Sequence, residues 1–399
     1  MKETETTGKL PLATPQELGF SAERLNRIGT VLGAEAARGR IPGAVALVAR
    51  RGKLAYLAAC GKRDPAGSAA MTVDSLFRIY SMTKPIVSVA AMMLVEQGKL
   101  LLADPLAKFV PEFSNSKVAI ERAGKLDLVP AARGVTVQDL LRHTSGITYV
   151  HIATGPLQQL YQEAKVASRD QTNADLAARL GGLPLAFQPG ARWRYGHSTD
   201  LLGRVVEVVT GQRLSEALAS MILGPLGMKD TGFHVRRGEE ARLAEPFAKD
   251  PEGGTAMPLI DVKAPPQLES GGGGLVSTTS DYARFLAMLA AGGTLDGVRL
   301  LGPKTIEQMR SDHLGDAPGE PPLLPIGYGF GLGFAVRRQA GLANFPGSVG
   351  EYYWSGAAGT AFWIDPKEEL FVVLMMQGPN QREAIRMLFR NLVYAAIVN

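Results

Sequence analysis

The stretch "FRIYSMTKPIVSVAAMMLVEQG", residues 77–98, sets one serine and one lysine, Ser81 and Lys84, at the start of an apolar run that reads as a buried helix. Residues three apart share a helix face, so the hydroxyl and the amine come within hydrogen-bond reach. That spacing suits a nucleophile beside its base. A serine in the first turn also has helix N–H groups and the positive end of the dipole next to it, which favours the oxyanion of an acyl transfer. A lysine acts as a base only when neutral, and burial among apolar residues favours that form. The plainer reading has Ser81 capping the helix and Lys84 facing water. A second copy of the spacing, Ser114 to Lys117, lies in a polar stretch between Phe113 and Val118 and shows that spacing alone decides little.

Upstream, residues 21–40 have helical periodicity, with Ser21 as N-cap and Glu23 in the first turn. Residues 43–64 change to a β pattern and read as a hairpin turning at Arg51-Gly52. Downstream, residues 136–146, 171–185, 198–228 and 278–293 read as helices, each with a polar or Thr/Ser start, and residues 238–267 as a Pro/Gly-rich crossing. Residues 327–338 and 350–378 alternate aromatic and apolar side chains and read as antiparallel strands, closed by an amphipathic helix at 380–398. Strands near both ends and helices between them imply an α/β plus all-α fold. It has an antiparallel sheet built from both termini and flanked by helices, with an inserted helical lobe. The expected division is a sheet domain of residues 1–80 and 265–399, a mainly helical domain of residues 81–264, and an active site between them.

A chain of 399 residues with 46% hydrophobic side chains is long enough for such a two-part core. A formal charge of +5 on 43 basic and 38 acidic residues, without a basic run carrying aromatics, argues against a nucleic-acid partner. The single cysteine, Cys60, excludes an intrachain disulfide and reads as a buried small apolar residue. The first 20 residues are polar and lack the apolar stretch of a secretion signal, and no run reaches the ~18 apolar residues of a membrane helix. The expectation is a cytoplasmic protein with no membrane contact; nothing in the sequence speaks to its oligomeric state.

Four further segments follow Ser81 and Lys84 in order: "LLRHTSG" (140–146), "FQPGARWRYGHSTDLLGRVVE" (187–207), "SGGGGLVSTTSDYARF" (270–285) and "WSGAAGTAFWIDP" (354–366). In sequence and order the set resembles the serine β-lactamase and penicillin-binding superfamily, over nearly the whole chain. Where class C β-lactamases carry Tyr-x-Asn, this chain has Tyr195-Gly196-His197. Where they carry Lys-Thr-Gly it has Trp354-Ser355-Gly356, which looks like the family VIII carboxylesterases. The resemblance implies Ser81 as nucleophile, Lys84 as its base, Tyr195 as a phenolic proton relay, and the backbone N–H groups of Ser81 and Ala357 as the oxyanion hole. Trp354, Ser355, Gly356 and His197 would then line the substrate pocket. Replacing the lysine of the third motif by an indole exchanges a cation for an apolar wall, which suits a neutral ester.

The serine elbow G-x-S-x-G is absent, and the five histidines, 143, 151, 197, 234 and 313, show neither a triad arrangement nor metal-ligand spacing. Neither metal nor cofactor is implied. Asp230-Thr231-Gly232 follows a helix end and reads as a turn. Gly271–Gly274 lacks the Lys-Ser/Thr of a phosphate loop and reads as close backbone packing. The leading expectation is a serine esterase acting on small, short-chain carboxylic esters through an acyl-serine, with weak β-lactamase turnover as a side activity. The alternative keeps the fold but makes it a β-lactamase, DD-peptidase, amide hydrolase or acyltransferase, with Arg192, Arg194 or His197 in place of the missing lysine. A third reading, a catalytically dead ligand-binding member, is disfavoured because Ser81, Lys84 and Tyr195 are all in place.

Overall fold

The computed structural model describes residues 10–122, 124–319 and 323–399. Residues 1–9, half of the polar start behind the cytoplasmic expectation, lie outside the described residues. Among the described residues no helix is long and apolar enough to cross a membrane.

Seven antiparallel strands form the main sheet: β1 (Gly43–Arg50), β2 (Lys53–Gly61), β3 (Tyr328–Phe330), β4 (Ala335–Arg337), β5 (Tyr352–Ser355), β6 (Ala361–Asp365) and β7 (Leu370–Met376), in the order β2-β1-β7-β6-β5-β4-β3. The first and last thirds of the chain therefore meet at β1 and β7, in the register Val45↔Met375 and Leu47↔Val373. Both strands are buried throughout, and apolar up to Arg50 at the end of β1, because both faces are covered. Alternation sorts their side chains: Val45, Leu47 and Ala49 join the inner core, while Ala44, Ala46 and Val48 join the outer one. The hairpin turns at Arg51 and Gly52, both with positive φ (52° and 71°), the primed turn whose twist matches the strands.

The outer face is covered by α1 (Ala22–Ala37) and the C-terminal helix, through Leu25, Ile28 and Leu32 of one and Ile385, Phe389 and Val393 of the other. Each such side chain contributes about 1.5–3 kcal/mol by leaving water. The inner core is continuous with α2 (Thr83–Glu96), whose residues from Thr83 to Met92 are all buried. Further helices are α3 (Val137–Leu141), α4 (Ser198–Thr210) and α5 (Thr279–Ala290), and the C-terminal helix is α6 (Arg382–Ala396). Thr136 and Asp139 form a capping box on α3, and Thr278 caps α5.

Three local expectations change. Ser81 does not sit in the first turn of α2 but in a 3₁₀ turn, Tyr80–Met82, that leads into it. The region between residues 81 and 264 also holds an exposed hairpin, Lys117–Arg122 against Lys125–Pro130, whose mixed charges mask its period. Cys60 is half-buried rather than buried, and burial pushes its thiol pKa up.

Candidate active site

The chain entering Ser81 is pinned before the helix begins. Phe77 and Arg78 pair with Ser277 and Val276, and the Ile79 N–H donates to Leu275 O at 3.0 Å. Tyr80 then adopts a left-handed backbone, φ 44°, a costly conformation for a bulky residue and one that persists where the surroundings fix it. Its hydroxyl accepts the Ile260 N–H at 3.0 Å. The result is a sharp bend that presents Ser81 to a cavity of about 400 Å³.

Lys84, 1% exposed, lies 3.3 Å from the Ser81 hydroxyl, 3.2 Å from the Tyr149 hydroxyl and 2.6 Å from the Gly272 carbonyl. Its ammonium position is also 4.4 Å from the centre of the Tyr195 ring. Tyr195 itself receives a hydrogen bond from Trp354 Nε1 at 3.1 Å, which leaves its own O–H to donate elsewhere. Burial, with the charge of Asp200 added, pushes the Tyr149 hydroxyl well above its ordinary pKa, so it stays a phenol. His143 packs against the Tyr195 ring at 4.9 Å; burial first and Lys84 second hold its pKa well below the usual value, which keeps it neutral.

Asp200, in the first turn of α4, ties the glycine tract to the site. Its Oδ1 accepts the Gly272 N–H at 2.9 Å and the Ser270 hydroxyl at 2.5 Å, and its Oδ2 meets His197 Nδ1 at 2.8 Å. Burial alone would raise this carboxyl, but His197, Lys84 and Ser270 outweigh it and hold the pKa at about 2. A Cβ on Gly272 would lie 2.7 Å from that carboxylate, so only glycine lets the loop bring its carbonyl to Lys84. Close packing, the reading of Gly271–Gly274 from sequence, is the arrangement found.

On the far wall, β5 ends in Trp354 and Ser355 and runs into a turn, Gly356 to Thr360, closed by Gly356 N–H to Thr360 O at 2.8 Å. The Ala357 N–H has no acceptor among the described residues, and Ala357 lines the cavity together with Ser81 and Tyr195. An ester carbonyl between these groups would meet a hydroxyl, an amine, a phenol and a free amide N–H, the set acyl transfer through serine requires.

The beta-lactamase family model matches residues 29–395. The chain belongs to the beta-lactamase family. Protein Rv1367c of Mycobacterium tuberculosis is 37% identical over 349 residues, 85% of this chain and 86% of that one. Esterase EstB of Burkholderia gladioli is 33% identical over 386 residues, 89% of this chain and 91% of that one. Among solved structures, EstCE1, described as a hydrolase with promiscuous acyltransferase activity, matches with a TM-score of 0.77 at 27% identity over 93% of this chain and 99% of that chain. The chain is thus a serine hydrolase of the β-lactamase fold, on the family VIII esterase side of the serine β-lactamase and penicillin-binding superfamily.

In this β-lactamase-family chain the structure brings Ser81, Lys84, Tyr195 and Trp354 together, and Ser355, Gly356 and Ala357 line the same cavity. His197 does not line it: it is 8% exposed and bonded to Asp200, with its ring against Tyr149 at 4.4 Å. Tyr149, three residues beyond "LLRHTSG", was not singled out from the sequence, yet its hydroxyl is the one that meets Lys84. Asp200 was likewise missed, because an acidic residue in a first helical turn reads as a dipole partner. The duplicate motif separates from the site: Lys117 is exposed at the start of a strand, and Ser114 bonds back to Pro111 O at 2.5 Å. Asp230 pairs with Arg236 and Arg242 in a turn. Among the described residues no group of three or more His, Cys, Asp or Glu is placed to hold a metal.

Proposed function

We propose that this serine hydrolase cleaves small carboxylic esters through an acyl-Ser81 intermediate, without a cofactor. The observation that carries the reading is the contact of 3.3 Å between the Ser81 hydroxyl and a buried Lys84 at the mouth of an aromatic-walled cavity. Once it has given up a proton, Lys84 can donate its two remaining N–H bonds to Gly272 O and the Tyr149 oxygen, which directs its lone pair at the Ser81 proton. Ser81 Oγ then bonds to the carbonyl carbon, the carbonyl electron pair moves onto oxygen, and the N–H groups of Ser81 and Ala357 receive the oxyanion. Collapse breaks the bond to the leaving alkoxide, which takes its proton from the Tyr195 hydroxyl. Water repeats the sequence in reverse and frees Ser81.

The walls favour a neutral, apolar substrate. Leu323, Pro325, Phe345, Tyr353, Trp354 and Met387 line the cavity, and Trp354 offers an indole where a class C enzyme presents a lysine. A small-molecule ester is the proposed partner. The division into residues 1–80 with 265–399 and residues 81–264 belongs to the same proposal: Ser81 and Tyr195 come from one part and Trp354 from the other. A second reading, an anionic substrate such as a β-lactam, has one point in its favour: Arg382, Arg386 and Arg390 also line the cavity, beside Glu383. The cations first considered for that role do not, since Arg192, Arg194 and His197 are absent from its lining.

Nitrophenyl esters from acetyl to decanoyl, measured beside a chromogenic cephalosporin, decide between the two. The expected result is kcat/KM for a short ester exceeding that for the cephalosporin by orders of magnitude, falling as the acyl chain outgrows the cavity. Equal turnover of the cephalosporin would overturn the ester assignment.

A further inference from the structure

The turn that carries the Ala357 N–H is gripped by α6. Arg386 Nη2 donates to Gly356 O and to Thr360 O, the latter at 2.9 Å, so one guanidinium holds both ends of the turn. The Gly356 carbonyl and the Ala357 N–H are the two ends of one peptide group. A charged donor on the carbonyl therefore draws electron density from the amide and strengthens the N–H as a donor, by about 10–30% for such a chain of bonds. The same turn is locked to the nucleophile: a Cβ on Gly356 would lie 2.4 Å from Ile79 O, and Thr360 Oγ1 donates to that oxygen at 3.3 Å. Ile79 lies two residues before Ser81.

We infer that Arg386 is a positioning residue for catalysis, fixing and polarising the Gly356–Ala357 peptide so that its N–H meets the developing oxyanion. The inference rests on the acyl-Ser81 reading above. Arg386 also lines the cavity, but its Nη2 is committed to the turn carbonyls, so the role inferred here runs through the peptide. Its side chain is 15% exposed; burial and the neighbouring Arg382 draw its pKa down to about 10, against the pull of Glu383 at 2.9 Å, so the guanidinium keeps its charge at neutral pH. Sequence alone gives no sign of this, since Arg386 is one of several arginines along the polar side of an amphipathic helix.

The chemistry specifies when the contact matters. In the ground state the ester carbonyl is a weak acceptor. As Ser81 Oγ bonds to carbon and the carbonyl pair moves onto oxygen, the full negative charge faces Ala357 N–H, and only then does the polarised peptide give its full benefit. Losing Arg386 should therefore lower kcat and spare KM.

The test compares wild type with Arg386→Met and Arg386→Lys. For a nitrophenyl ester, Arg386→Met should lower kcat about 10- to 100-fold, less than the ~10²–10³ lost with an entire oxyanion donor, with KM nearly unchanged. Affinity for a phenylboronic acid, whose tetrahedral adduct places an oxygen anion in the same hole, should fall by the same factor. Affinity for the unreactive ketone analogue of the ester should not. Arg386→Lys, which keeps the charge but not the fork, should fall between the two. If Arg386→Met does not fold, as judged by circular dichroism, Arg386→Lys carries the comparison. A folded variant with wild-type kcat and boronate affinity would overturn the inference, as would equal losses for boronate and ketone. Persistence of turnover in Ser81→Ala would instead overturn the underlying acyl-serine reading.

Discussion

Lys84→Met is expected to lower kcat/KM for ester hydrolysis by about 10⁴-fold, the upper range for a general base that also orients its nucleophile. The substitution removes the amine and keeps the length of the stem. Lys84 is almost fully buried and lies between Tyr149, the glycine tract and the Tyr195 ring, so a methionine fills its space. The Gly272 carbonyl and the Tyr149 hydroxyl lose a donor, a cost of about 1–3 kcal/mol each where no water replaces it. Circular dichroism should therefore report a native fold with a lowered melting temperature. Lys117→Ala, on the exposed hairpin, should leave turnover and stability at wild-type values. Retention of full activity by Lys84→Met would remove lysine from the mechanism.

The second large effect separates the two tyrosines. The hydroxyl of Tyr195 is held by Trp354 and faces the cavity, whereas that of Tyr149 meets Lys84. If Tyr195 protonates the leaving group, Tyr195→Phe should cost about 10²–10³-fold in kcat for an alkyl ester, whose alkoxide is a poor leaving group. It should cost little for a nitrophenyl ester, whose phenolate leaves without a proton. Tyr149→Phe removes a partner of the base itself, so it should lower kcat for both esters by a similar factor. Assaying each variant with an ethyl and a nitrophenyl ester of one acid measures the difference. Leaving-group sensitivity in Tyr149→Phe and none in Tyr195→Phe would reverse the assignment of the proton donor.

How far the sequence reached follows the range of the interactions concerned. Local patterning exposed the apolar strands at 43–50 and 370–376 and the largely apolar run of α2, and a three-residue spacing marked Ser81 and Lys84. Order along the chain added Tyr195 and Trp354. The rest depends on contacts between residues far apart in sequence. Asp200 reaches Gly272 across 72 positions and Arg386 reaches Gly356 across 30. Neither residue differs locally from an ordinary helical charge. Tyr149 sits in a loop whose path is set by packing, and nothing in its neighbours says which way its ring turns. His197 was placed in the pocket by its nearness to Tyr195, but the helix start at Ser198 turns it to Asp200 instead.

The most direct measurement is the mass of the enzyme quenched in acid during turnover of a slow ester, or after a fluorophosphonate, followed by peptide mapping. The account predicts one adduct of the acyl or phosphonyl mass on the peptide containing Ser81, and none in Ser81→Ala. An adduct on Ser114 or elsewhere, or turnover by Ser81→Ala without any adduct, would contradict it.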